Sequence, residues 1–329
     1  MNRILQLMLT VSYLIGIHAW CKSNRADAAE RAEQILRRKE EHAKKGNNVK
    51  IKRTDYTPVI SKWKNDPQRA TSLFDEILKK YGKSDDQSRP DAATLNALLD
   101  VYAKWQGRNL AHKAESCLQK INRLYEEGNV CFSPDVISYR SVIDAWSRSW
   151  SKDSPQRVSS LVNEMIHKYQ NEGRHDLCPD SNAFNLILKA CSTAPATWER
   201  NYAKKNGDDH PIAVANRVFT MLKAENEFSA KVTHATYSYM FTIYRRHMDF
   251  RDKRQSSVVQ NLWRHCRRDG MVSKFSLDSF RESVLEHDFW EGIGGKDKFE
   301  RIGKTNIEKI AVEDLPAQWS KGVLPLKRR

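Results

Sequence analysis

Three carboxylates in the chain share one local setting. Asp91, Asp135 and Asp180 each follow a proline and precede an apolar run: Arg89-Pro90-Asp91, Ser133-Pro134-Asp135 and Cys178-Pro179-Asp180. A carboxylate just before a helix accepts a bond from an otherwise orphaned N–H and stabilises the helix by about 1 kcal/mol. Capping is therefore a sufficient reason for each aspartate. The paired acids Asp85-Asp86, Glu126-Glu127 and Asp208-Asp209 sit in polar connectors and read as solvated loop charge. Metal-assisted chemistry needs several convergent carboxylates, and these pairs do not supply that pattern. The cysteines, Cys21, Cys117, Cys131, Cys178, Cys191 and Cys266, contain no C-x-x-C pair and no zinc-finger spacing. They read as scattered free thiols of a reducing compartment. There is no Gly-rich phosphate loop and no convincing Ser/His/Asp or Cys/His set. The expectation is a protein that catalyses nothing and needs neither cofactor nor metal.

What remains able to bind is positive charge. Lys and Arg number 56 against 41 Asp and Glu, a net charge of +15 with a pI near 9.5. A chain this basic calls for a polyanionic partner. Two clusters concentrate the cations. One holds Arg37, Arg38, Lys39, Lys44, Lys45, Lys50, Lys52 and Arg53; the other holds Arg245, Arg246, Arg251, Lys253, Arg254, Arg264, Arg267 and Arg268. A charge run is normally a solvated face, so a phosphate-binding role for either cluster needs further support.

The scaffold behind these residues is helical and repetitive. Only 13 Gly and 10 Pro in 329 residues exclude a turn-rich all-β chain, while 40% hydrophobic residues with 9 Trp argue against wholesale disorder. An aromatic or large apolar residue recurs with a second one seven places later. The pairs are Tyr13/Trp20, Tyr56/Trp63, Leu95/Tyr102, Phe184/Cys191, Tyr139/Trp146 and Tyr237/Tyr244. That spacing puts both on one helical face. A second helix follows each, with stripes such as Ala70, Leu73, Phe74, Ile77 and Val158, Leu161, Val162, Met165. Pro67, Pro155 and Pro211 stand at or near the starts of three of them. A single helix pair cannot bury its apolar face and must stack on neighbours. The expected fold is all-α: a right-handed α-solenoid superhelix of about six antiparallel helix pairs with a C-terminal capping helix.

The Pro-Asp punctuation, the strings Ala-Thr-Leu-Asn-Ala-Leu-Leu (93–99), Ile-Ser-Tyr-Arg-Ser-Val-Ile (137–143) and Asn-Ala-Phe-Asn-Leu-Ile-Leu (182–188), and the second-helix string Ala-Asn-Arg-Val-Phe-Thr-Met (215–221) carry a resemblance. The chain resembles the pentatricopeptide repeat (PPR) family, whose motif reads V-T-Y-N-x-L-I, then A-x-x-L-F-x-x-M, then G-x-x-P-D. It would be a divergent, long-repeat member. The resemblance covers residues 10–274, as units 10–52, 53–91, 92–135, 136–180, 181–233 and 234–274. Residues 1–9 form a lead-in. Residues 275–329 form a capping helix, carried by Phe275, Leu277, Phe280, Val284 and Leu285, and an irregular basic tail, with Trp290 and Trp319 expected to fold back. Every unit is longer than the family's ~35 residues, which puts a regular base register in question. The tetratricopeptide repeat, a protein-binding scaffold, is the alternative, but its W-x-x-L-G-x-x-Y signature does not occur. A protein-only RNase P-like nuclease would need a catalytic domain that the residues after the repeats are too few to form.

The resemblance implies single-stranded RNA binding on the face of the first helices, ideally one base per unit. The residue after the aromatic anchor meets the base edge, and the last residue of the unit tunes the choice. Carried over, Thr57 pairs with Asp91 as a guanine reader and Asn96 pairs with Asp135 as a uracil reader. Arg140 with Asp180, and Leu14 with Lys52, match no familiar pair. Asn185 and Ser238 suit the base position, with the partner end of their units undefined. A short amide or hydroxyl can donate and accept at a base edge, and a carboxylate can fix its orientation. The aromatic anchors are expected in the core rather than stacked on bases. The resemblance also implies a mitochondrial or plastid role in transcript processing, stability or translation. The expected partners are single-stranded RNA and other RNA-processing proteins, with no membrane, and the protein is expected to be a monomer. No transit peptide is visible, and the N-terminus is read as incomplete. The apolar run Ile4 to Ile17 imitates a secretory signal, but Tyr13 to Lys22 matches the later repeat helices position by position and is expected to be one of them.

Overall fold

The first helices owe their starts to polar caps and their persistence to buried anchors. A computed structural model describes residues 2–45, 49–81, 88–105, 109–195, 210–224, 228, 230–248 and 253–323. The acidic pairs Asp85-Asp86 and Asp208-Asp209, Arg251, most of the polar stretch 194–209, and the terminal Lys327-Arg328-Arg329 lie outside the described residues. Among the described residues the chain is helical throughout, without strands. It divides into two compact units, Met1–Ala145 and Trp146–Arg329.

The first unit contains α1 (Asn2–Lys22), α2 (Ala28–Lys44), α3 (Arg53–Lys62), α4 (Pro67–Tyr81), α5 (Ala92–Lys104), α6 (Leu110–Glu126) and most of α7 (Val136–Ser147). Its helices stack as pairs. α1 packs on α2 and α3; α3 packs on α2, α4 and α5; α5 packs on α4 and α6. The anchors Tyr56, Leu95 and Tyr139 are fully buried, with Val59, Ile60, Leu98 and Leu99 beside them. The second helices close the layer with Leu36, Leu73, Phe74, Ile77, Leu118 and Ile121. Tyr13 is only half-buried, its hydroxyl 3.1 Å from His42 Nδ1. α1 begins at Asn2, so the expected lead-in belongs to the helix itself. No described helix is long and apolar enough to cross a membrane.

The second unit contains α8 (Ser154–Asn171), α9 (Ser181–Thr193), α10 (Pro211–Lys223), α11 (His234–His247), α12 (Lys253–Arg268), α13 (Lys274–Ser283), α14 (Glu286–Ile293) and the short α15 (Lys296–Glu300). Here α9 packs on α8, α10 and α11, and α11 packs on α10, α12 and α13. α14 lies against α12 and α13. The residues from 274 to 293 thus form a further, shortened helix pair rather than a single cap. Phe275 does not belong to its apolar stripe: it is exposed, while Leu277 and Phe280 are buried. The remainder is less irregular than expected, with α15 and 3-10 turns at Ile307–Lys309, Val312–Asp314 and Ala317–Trp319. Trp263 stacks on Phe280 with ring centroids 4.3 Å apart. Gly292 permits this closeness, since a Cβ there would stand 2.7 Å from the Phe280 ring. Its carbonyl accepts the Trp263 indole N–H at 2.9 Å.

Candidate nucleic-acid interface

The expected base-facing residues sit one turn into the first helices, and the capping residues of the following helix come to meet them. On α5, the Asn96 amide nitrogen lies 3.1 Å from both carboxylate oxygens of Asp135. Ser138, the third residue of α7, donates its hydroxyl to Asn96 Oδ1 at 2.5 Å. Asp135 in turn accepts the Ser138 backbone N–H at 2.9 Å and donates its own N–H to Ser138 Oγ at 3.2 Å. The aspartate therefore caps α7 and orients the Asn96 amide at once. An amide carries two donors and two acceptor sites, so these bonds leave capacity at Asn96, which is half-buried.

The same three-residue arrangement recurs with other side chains. Thr57 Oγ1 on α3 lies 3.1 Å from Thr94 Oγ1, and Thr94 Oγ1 lies 3.0 Å from Asp91 Oδ1. Asp91 also accepts the Thr94 N–H at 3.0 Å, so Thr57 and Asp91 meet through Thr94 rather than directly. Arg53 pairs with the other Asp91 oxygen at 2.7 Å. In the second unit, Asn185 donates to Thr233 Oγ1 at 3.1 Å and accepts from Thr236 Oγ1 at 2.7 Å. Thr233 and Thr236 form a reciprocal capping box at the start of α11. Thr233 is thus the partner of Asn185 that the sequence left undefined. Asn185 is only 8% exposed, which makes it the most enclosed of the set.

Other positions behave differently. Asp180 is exposed and caps α9 through the Ala183 N–H at 2.8 Å. Arg140 is exposed on α7 of the first unit, whereas Asp180 belongs to the second. Ser238, half-buried, donates its hydroxyl to His234 O at 3.0 Å. At Lys52 the backbone N–H donates to Asp55 Oδ2 at 2.8 Å, so the cap of α3 comes from the helix's third residue.

Sequence reasoning missed the middle members of these triads: Thr94, Ser138 and Thr236, all fully buried. A signal was present. Each is a small hydroxyl residue directly before a buried anchor, Leu95, Tyr139 or Tyr237. At the equivalent place before Tyr56 stands Asp55, fully buried and paired with Lys39 at 2.6 Å.

The basic clusters are partly consumed by structure. Lys39 is 1% exposed, so it offers nothing to a ligand. Arg37 makes a two-armed pair with Glu76 at 2.6 Å and bonds Glu40 at 2.8 Å. Hydrogen bonds and charge from Glu76 and Glu40 hold the guanidinium pKa above its usual range despite partial burial. Burial works to raise the Glu40 and Glu76 pKa values, but the surrounding cations win: Glu76 is lowered to about 2 by Arg37 and Lys80. In the second cluster Arg245 pairs with Glu282 at 2.6 Å. Arg264 and Arg268 remain exposed. Among the described residues no group of His, Cys, Asp and Glu could hold a metal ion. Burial raises the Cys117, Cys191 and Cys266 thiols to about 12, which suits them to packing and not to nucleophilic work.

Stacked helix pairs with a recurrent polar triad define an all-helical protein of repeat-like architecture. No family model and no curated protein matches this chain.

Proposed function

We propose that this is a pentatricopeptide-type solenoid that binds single-stranded RNA sequence-selectively and catalyses no reaction. The carrying observation is the Asn96–Asp135–Ser138 triad: a short amide, one turn into a first helix, held by the final residue of its own unit. That linkage supports the fifth-and-last pairing the resemblance implies, with uracil at Asn96 and guanine at Thr57. The net charge of +15 supplies the general attraction to phosphate. Within each unit the stacked first helices would line an RNA path. The proposed setting is a mitochondrion or plastid, with a monomer acting on transcript processing, stability or translation beside other RNA-processing proteins.

One observation favours a second reading, a protein-binding scaffold of tetratricopeptide kind. Asn185 has both ends of its amide satisfied inside the protein and is nearly buried, as a purely structural ladder would require. Selection of bound sequences from a random RNA pool separates the two. RNA binding with a recurrent consensus supports the first reading. The absence of any RNA enrichment at low ionic strength rejects it in favour of the scaffold.

A further inference from the structure

We propose that the cleft between the end of α12 and the Trp319–Lys321 segment binds a phosphate group through Arg264, Arg267, Arg268 and Lys321. The cleft measures about 400 Å³ and is lined by these four cations with Gln318 and Trp319. Among the described residues no acidic side chain lines it. Arg264, Arg267 and Arg268 stand at helical spacing on one face of α12, and Lys321 reaches them from the distant tail. The site lies wholly in the second unit and is independent of the base-reading positions argued above.

The cleft is built rather than incidental. The tail is fastened to the α12 end by two backbone bonds, Val272 N to Trp319 O at 2.8 Å and Gly322 N to Gly270 O at 2.8 Å. The Arg267 guanidinium lies 4.6 Å over the Trp319 ring and donates one N–H to Gly292 O at 2.8 Å. A guanidinium has five donors, so a fixed Arg267 keeps others for a ligand. Burial, with Arg264 adding repulsion, pushes its pKa below the usual arginine value.

Local acids neutralise the cluster only in part. Asp269 lies 3.6 Å from Arg268, but its other oxygen already serves Lys223 and the Tyr237 hydroxyl. Arg264 and Arg267 also border a neighbouring hollow that holds Asp288 and Glu291. The Asp288 carboxylate accepts from Ser256 Oγ at 2.6 Å and faces His287 at 3.0 Å. Cations in a last helical turn complement the macrodipole, which explains Arg267 and Arg268 in part. It explains neither Lys321, from another segment, nor Arg264, a turn earlier. A phosphate answers all four, since arginine forks fit its oxygens and lysine adds a point charge.

The test is calorimetric titration of the full chain with inorganic phosphate, and with one short oligouridylate carrying either a 5′-phosphate or a 5′-hydroxyl, at constant ionic strength. The comparison is the variant Arg264→Gln/Arg268→Gln/Lys321→Gln, whose changed side chains are exposed and whose helicity is checked by circular dichroism. Phosphate should bind the wild type and lose at least tenfold in the variant. A preference for the 5′-phosphorylated strand that the variant abolishes assigns a strand end; an equal loss for both strands assigns a backbone phosphate; loss for phosphate alone assigns a small phosphorylated molecule. Failure of phosphate to bind the wild type, or equal affinity in the folded variant, overturns the site. Neither overturning result decides whether Asn96 reads a base, which the four-base comparison tests separately.

Discussion

Replacing Asn96 with threonine converts one triad into the form its neighbour already has. Thr57 shows what a threonine does there: its hydroxyl lies 3.1 Å from Thr94 and donates to Arg53 O at 3.0 Å. In Asn96→Thr, Ser138 therefore keeps an acceptor. What disappears is the amide donor to the Asp135 carboxylate, both of whose oxygens lie 3.1 Å away. A hydrogen bond to a charged group is worth about 1.5–3 kcal/mol. Asp135 is half-exposed, so water recovers part of that. The variant should lose about 1–2 kcal/mol of stability, including a few tenths for helix propensity. That corresponds to a fall of roughly 2–8 °C in Tm for a cooperative unit of this size.

The functional consequence is larger and has a direction. If Asn96 reads uracil and the Thr/Asp combination reads guanine, the variant should exchange uracil for guanine at one nucleotide of the selected RNA. A good base contact discriminates by about 1–3 kcal/mol, a figure taken from DNA grooves, or roughly 5- to 150-fold in Kd. The assay is fluorescence anisotropy with wild type and variant against four RNAs that differ at that nucleotide. A lowered Tm with an unchanged ranking of the four bases would refute the recognition role and leave the triad as a structural clamp between repeats.

Three further outcomes are expected. Lys39→Met strands the buried Asp55 carboxylate and should cost about 3–5 kcal/mol in urea unfolding, whereas Lys44→Met, on the exposed end of α2, should stay within about 0.5 kcal/mol. Glu76 has its pKa lowered from an ordinary 4.5 to about 2, so its stabilisation is complete above about pH 4.5 and lost as pH falls toward 2. Glu76→Gln should therefore flatten acid unfolding across that window and leave the alkaline side unchanged. RNA affinity should fall with salt, with a log–log slope of about −0.7 per phosphate contacted; a flat salt response would remove the electrostatic half of the reading.

The helices were legible because their signals are local. Tyr56, Tyr139 and Tyr237 recur at helical spacing with apolar companions and are all fully buried. Pro67, Pro155 and Pro211 open second helices where fixed φ and a missing N–H cost nothing. The pairing of Asn96 with Asp135 was expected from the family resemblance alone, and the two side chains meet at 3.1 Å. The cationic clusters were not legible. Arg37 and Lys39 are near neighbours of Arg38 in sequence, yet their acids come from α4 and α3, at Glu76 and Asp55. Nothing in a charge run tells which members a distant acid will claim. Phe275 shows the opposite failure: it continued an apolar pattern, but at the first turn of α13 it falls on the solvent side.

The triads also bear on the long, uneven repeats. Each one ties a polar residue on a first helix to the cap and third residue of the next first helix, at Thr57/Asp91/Thr94, Asn96/Asp135/Ser138 and Asn185/Thr233/Thr236. The clamp acts between helix starts and takes nothing from the connectors that follow the second helices. Extra residues can then be absorbed in those connectors, where loop length costs little, without moving one first helix against its neighbour. Register from one first helix to the next would be set by the triads, and repeat length would cease to be its measure. This gives the middle hydroxyl a definite part: Ser138→Ala leaves Asn96 Oδ1 without its donor and should loosen the register at that step more than any change in the connector between α6 and α7.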